Sequence, residues 1–113
     1  MQQYGQMIRS EWIQNAALLW QEHHDAEFPA NLRGVEVEDI DMVLLDADTA
    51  GCASTWINNG GALDPQRRRI LQTCVENLGR VIPQISDPSG HQYYQRLHQL
   101  ALLVSGAVDT KYT

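Results

Sequence analysis

A chain of 113 residues, 43% hydrophobic and 19% charged, has the length of one domain with one core and is too apolar to be disordered. Fourteen acidic against eight basic residues leave a net charge of −6, which disfavours nucleic acid and anionic membrane as partners unless the basic residues are segregated on one face. The longest apolar runs, Met42 to Leu45 and Leu100 to Val104, fall far short of the roughly 20 residues of a membrane span.

The opening MQQYGQMIRSEW lacks the basic end, apolar stretch and small-residue cleavage site of a secretory signal, so the expected compartment is the cytoplasm. Two cysteines stay reduced there. In the first segment Ile8, Trp12, Ala16, Leu19, Trp20 and His23 recur at spacings of three and four, predicting a helix from about residue 3 to 24. EFPANLRG then interrupts the pattern with Pro29 and Gly34, as a loop does. VEVEDID comes nearest to strand-like alternation, but helical periodicity overtakes it, and a second helix is expected to start near Val37 or Asp39. It should stop at Asn58-Asn59-Gly60-Gly61, because Gly or Asn after the last periodic residue supplies the left-handed C-terminal stop.

Asp64-Pro65 signals the third helix, the aspartate as N-cap and the proline at the first position, where no donor is missed. Its apolar stripe is Ile70, Leu71, Cys74, Val75, Leu78, Val81 and Ile82, and Pro83 should end or kink it. Ser89-Gly-His-Gln92 matches the S-x-x-Q capping box and should open a fourth helix. That helix presents Tyr93, Tyr94, Leu97, Leu100, Ala101, Val104 and Val108 on one face, and the closing VDTKYT is expected to fray. The expected fold is all-α: one domain over residues 1–113, a four-helix antiparallel up-and-down bundle, with a dimer as the natural extension.

Helix two has two apolar faces on a wheel of 100° per residue. Ile40, Val43, Leu44, Ala47 and Gly51 make one, with Ser54 beside them; Met42, Leu45, Cys52, Ala53 and Trp56 make the other. Asp39, Asp41, Asp46 and Asp48 fall in the seams between, where they reach water while both faces pack. Such a helix is either central in its own bundle or shared with another chain. Gly51 in mid-helix costs about 1 kcal/mol relative to Ala and asks for close packing as its reason. The interface candidates are therefore Met42, Leu45, Cys52 and Trp56.

Three patterns point to chemistry, each with a structural alternative. Glu22-His-His-Asp25, followed after twelve residues by Glu38-Asp-Ile-Asp41, resembles the ExxE…ExxD arrangement of the all-α nucleotide pyrophosphohydrolases. That resemblance implies Mg²⁺ held by Glu22, Asp25, Glu38 and Asp41 against a nucleoside triphosphate. This chain departs from the pattern at Asp25 and in the Pro- and Gly-containing loop between the pairs, and carboxylates at a helix N-terminus also answer the macrodipole. DPQRRRILQ has the look of a DNA-reading helix starting at Pro65, but NNGGALD before it is longer than a helix-turn-helix turn. His23 and His24 point about 100° apart and cannot serve one metal; both suit the negative end of a helix dipole. Cys52 and Cys74 face each other as buried free thiols, since helix axes stand too far apart for a disulfide.

No cofactor motif is present. The balance of features predicts a non-enzymatic interaction protein, a regulator, adaptor or inhibitor that buries surface against another protein or a second copy of itself. The Mg²⁺-dependent hydrolase and the DNA-binding regulator are the alternatives.

Overall fold

The structure, a computed structural model, describes residues 8–109, with side chains placed through residue 106. Four helices pack against one another: α1 (Arg9–Asp25), α2 (Met42–Asn58), α3 (Pro65–Val81) and α4 (Pro88–Asp109). One-turn 3₁₀ segments follow α1, at Ala30–Leu32, and α3, at Ile82–Gln84. The first positions of the predicted first helix and most of the VDTKYT tail lie outside the described residues. None of the helices is long and apolar enough to cross a membrane.

Helices α2 and α4 each contact all three of the others, while α1 and α3 have no comparable contact with each other. The shared core follows from this. Met42, Leu45, Ala53 and Trp56 of α2 meet Leu71, Leu78 and Val81 of α3 and Tyr94, Leu97, Leu100 and Val104 of α4, all buried. Helix α1 contributes Ala16 fully and Trp12, Ile13, Leu19 and Trp20 in part. It is pinned by polar contacts: the Trp20 indole N–H donates to the Ala50 carbonyl at 3.2 Å, and Arg9 Nη1 donates to the Gly61 carbonyl at 2.5 Å.

The helix ends follow their sequence signals closely at three places and differently at two others. Helix α2 stops in a Schellman arrangement: Gly61 N–H donates to Trp56 O at 2.8 Å and Gly60 N–H to Ile57 O at 3.3 Å, with Gly60 at φ 69° as only glycine adopts freely. Asp64 caps α3, its Oδ1 accepting from Arg67 N–H at 2.8 Å, and Pro83 lies in the 3₁₀ turn that terminates it. Helix α4, by contrast, begins at Pro88, and Asp87 rather than Ser89 caps it, its Oδ2 accepting from Gly90 N–H at 2.8 Å.

The other departure is VEVEDID, which is a β-hairpin and not the start of α2. Strands β1 (Glu36–Val37) and β2 (Ile40–Asp41) pair antiparallel, Glu36 with Asp41 and Val37 with Ile40. Glu38 and Asp39 turn the chain at φ 53° and 64°. Two consecutive positive φ values make this the mirror-image two-residue turn, whose twist matches that of paired strands. Helix α2 therefore starts at Met42, capped by Asp41 Oδ1 accepting from Leu44 N–H at 3.0 Å.

Candidate functional site

The second helix does have two apolar faces, with their roles exchanged relative to the expectation. Met42, Leu45, Cys52 and Trp56, the interface candidates, are buried inside this chain's own core. Of these, Met42, Cys52 and Trp56 are covered within the single chain and line no groove, while Leu45, 4% exposed, reaches the surface only at the floor of the groove between α2 and α3. The opposite face is the open one. Leu44 is 57% exposed and Val43 38%, Ala47 and Gly51 are exposed as well, and a Cβ added at Gly51 would meet nothing. The close packing expected at Gly51 is absent among the described residues. Periodicity reveals that a helix has two apolar sides, but which side the chain covers depends on the other helices.

Beside Leu44 the surface dips into an open groove of about 600 Å³ between α2 and α3, with the hairpin closing one end. Leu44, Leu45 and Ile40 line it from α2 and the hairpin, and Ile70, Thr73 and Cys74 from α3. Ile70 is itself 37% exposed. The rim is charged unevenly: Asp39, Asp41 and Asp48 stand along the α2 side, and Arg69 with Gln66 and Asn77 along the α3 side. Arg80 Nη2 lies 3.7 Å from Glu38 Oε1, tying the hairpin to the last turn of α3.

Cys74, at the groove, and Cys52, buried in the core, are chemically quiet. Burial pushes the Cys74 thiol above its ordinary range, and burial together with Cys74 and Asp48 pushes Cys52 up to about 11. Both are free, protonated thiols near neutral pH, the opposite of the depressed pKa that a nucleophilic cysteine needs.

A second polar cluster lies where α1, α2 and α4 meet. The His23 ring, 5% exposed, places Nε2 2.6 Å from Asp46 Oδ1, and Tyr93 donates its hydroxyl to Asp46 Oδ2 at 2.8 Å. The His23 and Tyr93 rings lie with centroids 4.6 Å apart. His23 thus ends the apolar stripe of α1 in its last turn, as expected, and there it is a buried interhelix partner of Asp46. Asp46, 17% exposed, is the one seam aspartate drawn inward; Asp39, Asp41 and Asp48 reach water as the wheel implies. Burial and the Asp46 carboxylate raise the Tyr93 hydroxyl well above the usual tyrosine range. With His23, Tyr93 and most of Asp46 covered, the cluster joins helices and leaves no room for a substrate.

The four carboxylates of the hydrolase pattern stay apart in function. Asp25 accepts from Gln21 Nε2 at 3.0 Å, Glu38 pairs with Arg80, Asp41 caps α2, and Glu22 is exposed on α1. Among the described residues there is no group of three or more His, Cys, Asp and Glu able to hold a metal ion. In the helix that starts at Pro65, Arg67 turns back on its own N-cap, Nη1 2.5 Å from Asp64 Oδ2, and Arg69 belongs to the groove rim. The three arginines do not share one basic face. Compared with known proteins, the chain matches no family model, no curated protein and no solved structure.

Proposed function

We propose that this is a small cytoplasmic, non-enzymatic interaction protein, an up-and-down helical bundle that works by seating a second protein chain on its α2–α3 face. The observation that carries the reading is Leu44, more than half exposed at the lip of a groove whose floor is apolar. Large apolar side chains on a surface gain free energy when covered, about 25 cal/mol per Å² removed from water. Leu44 and Ile70 line one groove from neighbouring helices, and contiguous exposure of this kind marks contact surfaces more often than single exposed residues do. The polar residues around them form a rim, as at protein interfaces.

The test is paired affinity capture from the native host with the wild-type chain and with Leu44→Glu as baits. Because Leu44 points outward, circular dichroism and the urea midpoint should hold nearly constant. Proteins retained by the wild type should be lost with the variant. Identical recoveries from both baits, with both folded, would remove this face from the function.

A further inference from the structure

We infer that the α2–α3 groove takes one kind of partner: a short amphipathic helix from another protein, with Lys or Arg flanking its apolar stripe. This deepens the reading of the same face and rests on it. Charge carries the step. Asp39, Asp41 and Asp48 stand along the groove against a single rim cation, Arg69. A second copy seated here would bring the same three-to-one excess of carboxylates over cations, in a pair whose members each carry −6. Like charges set face to face across an interface cost several kcal/mol, whereas opposite ones steer association and fix register.

Shape agrees with charge. The groove runs between two neighbouring helices and opens to solvent at Leu44, which suits the helix-in-groove mode, where side chains at i, i+4 and i+7 descend onto an apolar floor. Its acidic end is held in a costly conformation. Glu38 and Asp39 both adopt the left-handed region without a glycine, at a cost of roughly 1–2 kcal/mol per residue. The hairpin turn requires that backbone, and the turn sets Asp39 and Ile40 at the groove.

The experiment uses two fluorescent designed peptides of about 15 residues, long enough to reach helical conformation on binding. Both carry leucines at i, i+4 and i+7; one has lysines flanking the stripe and the other glutamates. Anisotropy titration against the full chain should show the basic peptide bound at least about tenfold more tightly, with affinity falling as salt rises. Amide shifts should centre on Leu44, Ile70 and Thr73. Asp48→Lys, at an exposed position, should weaken the basic peptide about tenfold and narrow or reverse the preference. Equal binding of the two peptides, indifference to Asp48→Lys, or shifts centred elsewhere would overturn the inference. So would sedimentation showing a dimer that Leu44→Glu dissociates, since the occupant would then be a second copy. If the basic peptide fails to bind while Leu44→Glu still abolishes capture, the partner chemistry is wrong and the face stands; if capture too is unchanged, both fall.

Discussion

At Asp46 a single carboxylate closes two interhelix contacts, one oxygen on His23 of α1 and the other on the Tyr93 hydroxyl of α4. Both partners are buried, so loss of the acceptor leaves polar atoms without a water to replace it. An unsatisfied buried donor costs about 1–3 kcal/mol. Asp46→Ala should therefore destabilise by at least about that amount, because His23 and Tyr93 both lose their counterpart. Tyr93→Phe removes the donor and leaves Asp46 Oδ2 to water at a residue that is 17% exposed, so it should cost only about 1 kcal/mol. The double variant should cost less than the two single ones summed, read from urea midpoints, since both act on one bond; strict additivity would mean that Tyr93 and Asp46 are not coupled. The helical wheel had placed Asp46 in a seam without saying what stands opposite, and the answer comes from a helix 47 residues further along the chain. The apolar stripe and the helix end place His23 on the inner side of α1, but its partner lies 23 residues away, beyond any local signal.

At the scale of elements, local chemistry was legible where one residue pair sufficed and obscure where two signals competed. Asp64-Pro65 and the Asn-Asn-Gly-Gly stop needed no tertiary context. Asp87-Pro88 carries the same cap-and-proline logic, but the S-x-x-Q pattern one residue later competes with it; Pro88 prevails because its fixed φ is already helical. The hairpin escaped notice because its turn is Glu-Asp, whereas such turns are signalled by Asn-Gly or Asp-Gly. Two glycines should now respond in opposite directions. Gly51 is helical and open, so Gly51→Ala should stabilise by about 1 kcal/mol through helix propensity alone. Gly61 sits at φ 91° with Arg9 Nη1 2.7 Å from where a Cβ would stand. Gly61→Ala should destabilise by roughly 1–2 kcal/mol, chiefly from the left-handed backbone, because the arginine can move. Urea midpoints at unchanged m-value would show both effects; a destabilised Gly51→Ala would mean that a neighbour covers that stripe.

Across the whole molecule, burial sets how stability responds to pH. On the acid side His98 is the marker: burial holds its pKa below the ordinary 6.5, so the unfolded chain takes up a proton first and stability declines as pH falls below that value. On the alkaline side four acids act together. Burial raises the thiols of Cys52 and Cys74 and the hydroxyls of Tyr93 and Tyr94. Cys52 gives the window, since its thiol ionises near 9 when exposed and at about 11 in the fold. Between those values the folded state holds a proton that the unfolded state has released, and by linkage stability falls as pH rises. Above about 11 this thiol adds no further slope, while the tyrosines, released at their ordinary 10 once unfolded, continue the decline. Urea midpoints measured from pH 8 to 11 should therefore drop steadily, and Cys52→Ala should flatten the slope between 9 and 11 on top of a pH-independent packing loss. A variant whose slope matched the wild type would show that burial in the core leaves the ionisation of this thiol unshifted.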